Sequence, residues 1–342
     1  MLIPVLFQKH YLLTVTIVSL FGNGLLLVLI RRNGHALGNY RILLILFAIM
    51  DIFISAFHAW SVPMCVLGKH GYIVFGLTIA SGSGFLPSIT AASYSVTYFL
   101  PSALLVMHFL YRLFSLTRPA RVTNTFPSFM LASVSYLAIF ISSMYILMFR
   151  LTRKTVPLQY YDILGEYGFE LSNHAINTIT VQYLDESMRP NVHAMGSIIL
   201  GSLIIFQIIF TSLVCARKIH TALTMRVLEI RSRRLHLQLF WALIGQFSIP
   251  ALFTIIPFSI IIALPLSGAS LVQTGNICCM IASVFPALDP LLMIVSISRF
   301  RSTITDWAYA IIGGTARRNE MKARERSRIY AATIQKSTTQ TA

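Results

Sequence analysis

Two carboxylates stand where a carboxylate is costly. Asp51 lies inside the apolar run 42–67, and Asp289 lies inside the apolar run 271–297, immediately before Pro290. A carboxylate at membrane depth faces a bundle interior or a water-filled cavity and marks a functional position. No Lys or Arg lies within either run to neutralise it. Paired aspartates can do acid–base chemistry, so intramembrane proteolysis is the first chemistry to weigh. The pair lacks the neighbouring glycines and shared depth of such a dyad, and Asp289-Pro290 reads better as a hinge. Asn23, in the first apolar run, also carries a polar amide that needs a partner at this depth. The expectation is an intramembrane polar network of Asn23, Asp51, Asp289 and Pro290, completed by protonation, by water or by a cation near Asp51. The plainer alternative is separate packing sites, since the small residues of Gly22-Asn23-Gly24 also let helices approach closely. No catalytic residue, cofactor or other metal is expected.

A second set of residues suits recognition. Arg112 ends the third apolar run within His108-Phe109-Leu110-Tyr111-Arg112. It is either a snorkelling interfacial anchor or a link between the inner ends of the third and sixth helices. Leu116 and Pro119, which follow, favour the link. Tyr94 precedes Arg112 by 18 residues, or five helical turns, so both share one inward face with Tyr98 beside them. Cys279 and Ser283 occupy the outer half of the seventh run. Aromatic and weakly polar groups in an apolar cleft suit a small organic ligand, although plain packing explains each residue singly. The remaining cysteines are Cys65, Cys215 and Cys278, and the long gap after the fourth run has none, so no disulfide framework is expected.

The elements that must position these groups are membrane spans. The chain is 56% hydrophobic and 11% charged, against about 25% charged in an ordinary soluble domain. Its apolar residues gather at 12–30, 42–67, 85–110, 126–149, 194–216, 237–264 and 271–297. Each run is near or above the roughly 20 residues that cross a bilayer as a helix. Residues 74–80 are apolar too, but too few to span. Pro101, Pro250, Pro257 and Pro290 suit kinked helices in a bundle that changes shape. No cleavable leader is expected. The gaps alternate in charge: 21 of the 27 Lys and Arg residues fall on one side of the membrane and six on the other. Basic residues collect on the cytoplasmic side, so the N-terminus is expected outside and the C-terminus inside. The net charge of +16 is therefore a topology signal. A nucleic-acid partner would need a soluble basic face, which this layout excludes.

After the seventh run, Phe300, Ile304, Trp307 and Ile311 recur at helical spacing beside Arg299 and Arg301. An amphipathic interfacial helix is expected over 298–312, followed by a basic, lipid-attracted and disordered tail over 313–342.

Several short marks then carry a resemblance. Gly22-Asn23, the acid Asp51, Arg112 with Pro119, and Asp289-Pro290 resemble the spaced marks of rhodopsin-like G-protein-coupled receptors. More specifically, the chain resembles nematode seven-transmembrane chemoreceptors of the Str/Srj class. That resemblance rests on Leu37-Gly38-Asn39-Tyr40-Arg41, the stretch from His108 to Leu116, and Glu166-Tyr167-Gly168-Phe169. Leu237-Gln238-Leu239-Phe240 and Phe285-Pro286-Ala287-Leu288-Asp289-Pro290 complete it. Tyr111 departs from the wider superfamily by standing where an acid precedes the Arg. The usual disulfide to the long outer loop and the Cys-Trp-x-Pro pattern of the sixth helix are missing.

The resemblance implies an all-α, seven-helix chemosensory receptor in the plasma membrane, in a sensory cilium, with a heterotrimeric G protein, a small external ligand and membrane lipid as partners. Tyr94, Tyr98, Cys279 and Ser283 are the ligand candidates. Arg112, Arg118, Arg231, Arg233 and Arg234 are the coupling candidates. A ligand-gated channel or transporter is the main alternative.

Overall fold

The computed structural model describes residues 3–34, 37–78, 85–118, 124–153, 156–169, 178–184, 187–225, 230–269 and 271–311, without the side chains of 85–88, 152–153, 230–232 and 311. Seven helices are long and apolar enough to cross a membrane. They are α1 (Val5–Asn33), α2 (Tyr40–Ser61), α3 (Phe85–Thr117), α4 (Phe126–Leu151), α5 (Val192–Met225), α6 (230–266) and α7 (Thr274–Ser296). Their surface inverts that of a soluble protein. Leu13, Ile17, Phe21, Phe206 and Phe210 are exposed, while Gln8, Ser19, Asn23, Asp51 and Gln246 are buried. Apolar side chains outward and polar ones inward are what a lipid solvent selects, so this is a multi-pass membrane protein.

The second expected span runs too far. α2 stops at Ser61, and Pro63–Gly68 is strand β1 rather than the last turns of a helix. Val62 adopts a left-handed φ of 47°, and its N–H closes on the His58 carbonyl. Pro63 then has no N–H to continue the helix. The start of the short apolar run at 74–80 pairs with this segment: β2 (Gly71–Gly76) lies antiparallel to β1, with Cys65 opposite Val74. The hairpin joins β3 (Thr152–Arg153) and β4 (Thr178–Gln182) in a four-stranded sheet of order β1-β2-β4-β3. Alternation along the strands gives the sheet two apolar faces. Cys65, Leu67, Tyr72, Val74, Ile179 and Val181 pack onto the helices. Met64, Val66, Ile73 and Phe75 pack against Val156, Tyr160 and Leu164, at and beside the short helix Tyr161–Glu166. One end of the bundle therefore carries a two-layer roof.

Two spans are irregular. In α6 the α-helix ends at Pro250, Ala251–Ile255 is π-helical, and the α-helix resumes at Ile256. In α7 the helix is interrupted at Val284, between Thr274–Ser283 and Phe285–Ser296. The fifth and sixth helices extend past the expected 216 and 237, to Met225 and from Ile230. Residues from 297 onward form a separate unit containing α8 (Ser298–Ile311). Pro119, Arg121, Arg226, Asp185, Glu186 and the tail from 312 lie outside the described residues.

Candidate functional site

The polar centre is built around Pro290. Proline lacks an N–H and its ring displaces the carbonyl four residues earlier, so the Pro286 carbonyl loses its helical partner. α1 supplies replacements: Asn23 Nδ2 donates to that oxygen at 2.9 Å and Ser19 Oγ at 3.1 Å. Asn23 also donates to the Ser19 carbonyl, and Ser55 Oγ of α2 donates to Ser19 Oγ at 2.7 Å. Close approach is possible because Gly22 faces the proline ring; a Cβ there would sit 2.9 Å from Pro290 Cγ. Asp289 accepts from Gln246 Nε2 of α6 at 3.0 Å. Asp51 is fully buried, and neither of its oxygens has a protein hydrogen-bond partner. The expected network is therefore not closed by direct bonds among Asn23, Asp51 and Asp289. Asn23 serves the backbone that Pro290 frees, and Asp289 is tied to α6. No cluster of three His, Cys, Asp or Glu side chains suited to a metal occurs among the described residues.

Beneath the sheet lies a cavity. Cys65, Tyr72, Val74, Tyr94, Ser95, Tyr98, Phe99, Phe258, Ile261 and Cys279 line a small space. Tyr94 and Tyr98 are buried with ring centroids 5.9 Å apart in an edge-on arrangement. Phe258 of α6 closes on Phe99 at 4.7 Å. The Tyr98 hydroxyl has no protein hydrogen-bond partner, and both imidazole nitrogens of buried His58 lack one while its ring lies 5.2 Å from that of Tyr94. Three of the four expected ligand residues meet here. Ser283 does not line this cavity. It lies just over one turn beyond Cys279, and its hydroxyl folds back onto the Met280 carbonyl at 2.7 Å.

The roof is pinned to the helices. Tyr183, just past β4, donates to the Ile262 carbonyl of α6 at 3.0 Å. Gln8 of α1 donates to the Pro63 carbonyl, and the Cys65 N–H donates to Asn276 Oδ1 of α7 at 2.8 Å. Asn276 in turn donates to the Tyr167 hydroxyl. Burial pushes the Tyr160 and Tyr183 phenols well above their ordinary range, as expected for hydroxyls held in an apolar roof.

At the opposite end, Arg112 is buried at 4% exposure. Its Nη2 donates to His236 Nδ1 of α6 at 3.0 Å, and the guanidinium carbon lies 5.2 Å from the Tyr40 ring centroid. Arg has donors only, so the contact requires a neutral imidazole with its proton on Nε2. Tyr111, in the place of the superfamily's acid, stacks on Tyr40 at 5.8 Å. Arg118, Arg233 and Arg234 are exposed, and the side chain of Arg231 lies outside the described residues.

Sequence reasoning missed His236, Gln246, Phe99 and Phe258. Phe99 had a signal, because it adjoins Tyr98 on the same helix. The others depend on how α6 is rotated against α3 and α7, which no local spacing encodes.

Comparison with known proteins gives a consistent result. The family model for the serpentine type 7TM GPCR chemoreceptor Str matches residues 8–305. The chain is 24% identical over 301 residues to serpentine receptor class r-10 of Caenorhabditis briggsae, covering 82% of this chain and 84% of that protein. Serpentine receptor class r-10 of Caenorhabditis elegans is 23% identical over 300 residues, covering 82% and 85%. The crystal structure of squid rhodopsin aligns with a TM-score of 0.59 at 13% identity, over 91% of this chain and 84% of that one, a likeness of fold alone.

Proposed function

The chain belongs to the serpentine type 7TM GPCR chemoreceptor Str family, and from that premise we propose how this chemosensory receptor is arranged and switched. The roofed end faces outside and the basic end faces the cytoplasm. A small external ligand occupies the cavity at Tyr94, Tyr98, Phe99, Phe258 and Cys279. A heterotrimeric G protein engages the basic end through Arg112, Arg118 and the exposed Arg233 and Arg234. Arg231 belongs to the same basic segment. Asp51 is neutralised by a proton or a cation. α8 lies on the membrane, the basic tail meets anionic lipid, and the receptor resides in the plasma membrane of a sensory cilium. Its output is a change of state, not catalysis.

One observation carries this reading: α3 and α6 touch twice, once at mid-α3 beside the cavity and once near the C-terminal end of α3. Phe99 meets Phe258 beside the cavity, and Arg112 meets His236 22 residues away along α6, about 33 Å at 1.5 Å per residue. The π-helical turn after Pro250 lies between those contacts. Such turns are weak points in the hydrogen-bond ladder and cluster at functional sites. A ligand that shifts Phe258 favours a second arrangement of α6 in which Arg112 is released. It does so only through its different affinities for the two states.

The test is a ligand screen read by calcium or cyclic nucleotide, followed by dose–response curves for Tyr94→Ala and Tyr98→Ala. Both variants are expected to reach the surface normally and to lose potency about tenfold or more, the effect of about 1.4 kcal/mol of lost contact. Curves identical to the parent for both would remove this pocket.

A further inference from the structure

The cavity lies beneath the sheet, and a second space adjoins it sideways. Tyr72, Val74, Ser95, Phe99 and Phe258 line both the proposed ligand cavity and a neighbouring narrow space. The second space continues between α4 and α5. α4 contributes Met144, Met148 and Leu151, at i, i+4 and i+7 on one face. α5 contributes Ser197, Ile198, Gly201, Ser202 and Ile205, again one face. Burial grades along this lining. Val74 and Ile179 are buried beneath the sheet, Met148 and Gly201 are partly open, and Ser202 is exposed on the flank of the bundle. That flank is the apolar surface of a membrane-spanning helix, with Leu200, Leu203 and Phe206 exposed around it.

From these observations we infer that the ligand site communicates with the bilayer through a lateral opening between α4 and α5, and that the receptor takes apolar, membrane-partitioning small molecules by this path. The inference rests on the reading of the Tyr94–Phe258 cavity as the ligand site. The water-facing alternative crosses both layers of the roof. β1 and β2 are buried at every position, their outward side chains are covered by Tyr160 and Leu164, and the sheet is bonded to α1, α6 and α7. A polar solute on that path loses its hydration among apolar groups that offer no replacement. An apolar solute concentrates in lipid first and meets an apolar mouth. Gly201 leaves the narrowest backbone profile at that mouth, and a Cβ there would meet no atom within 4 Å.

Access can be measured without knowing the ligand. The full-length receptor carrying Ser95→Cys is placed in lipid nanodiscs and treated with two maleimides that share a reacting group. One is N-cyclohexylmaleimide, which partitions into lipid; the other carries a sulfonate and stays in water. Labelling at residue 95 is followed by peptide mass spectrometry, which separates it from the four native cysteines.

The cyclohexyl reagent is expected to label residue 95 at least tenfold faster than the sulfonate. Gly201→Trp, which fills the mouth, is expected to slow it about tenfold. Gly196→Trp, on the same helix outside the lining and with equal room for a side chain, leaves the rate unchanged. Equal rates for the two reagents, failure of both, or no slowing by Gly201→Trp would each overturn the lateral path. Labelling reads access and not recognition, so the ligand-site reading stands or falls separately on the Tyr94→Ala and Tyr98→Ala curves.

Discussion

Asn23 shows how one side chain carries a backbone's debt. Pro290 orphans the Pro286 carbonyl in a dry interior, and Asn23 and Ser19 reach across from α1 to satisfy it. An unsatisfied buried polar group costs about 1–3 kcal/mol. Asn23→Ala is therefore expected to destabilise the receptor by about that amount, seen as a lower thermal unfolding midpoint in nanodiscs. Ser19→Ala, which removes the longer bond to Pro286 and also the acceptor of the buried Ser55 hydroxyl, should cost a comparable amount. An unchanged midpoint for Asn23→Ala would mean that the Pro286 carbonyl is satisfied otherwise. Asn23 was legible as a residue needing a partner; which partner was not, because the vacancy comes from Pro290, 267 residues away. Arg112 shows the same limit. Its spacing from Tyr94 placed it on the inward face, yet His236 carries no mark that distinguishes it from a surface histidine in a basic segment.

At the scale of elements, the helices were legible because lipid demands long uncharged runs. The sheet was not. A strand covered on both faces is apolar at every position and loses the alternation that betrays a strand. β1 therefore read as the end of α2, and β2 as an apolar remnant. Their fit against α7 depends on Gly275, where an added Cβ would overlap the Cys65 carbonyl. Backbone cannot yield as a flexible side chain does. Gly275→Val is expected to push β1 off α7, break the Cys65–Asn276 bond and cost about 1–3 kcal/mol, typical of overpacking. Gly24→Val, where a Cβ meets nothing within 4 Å, serves as the control. Equal thermal stability of the two variants would show that the roof is not seated on α7 as described. The irregular α6 was only half legible: Pro250 announced a kink, but no local residue pattern announced the π-helical turn Ala251–Ile255 after it.

Across the whole molecule, α6 is proposed as a lever held against α3 at two places, mid-α3 and the C-terminal part of α3. In the proposed mechanism the ligand cavity acts on one contact and the G-protein face on the other. Layout and charge gave the spans, the resemblance implied a receptor, and family membership fixes that class; the proposed coupling between the two contacts needed the three-dimensional pairing. Its central claim is that the Arg112–His236 contact holds the resting state. A hydrogen bond to a charged group contributes about 1.5–3 kcal/mol, so losing it shifts a two-state equilibrium about tenfold or more. The most direct test is nucleotide exchange on a heterotrimeric G protein by reconstituted receptor without ligand. His236→Ala is expected to raise basal exchange about tenfold, while Arg112→Ala, which also removes the proposed G-protein contact, lowers the maximal rate. Basal exchange in His236→Ala that equals the parent's, in receptor that still responds to ligand, would contradict the account.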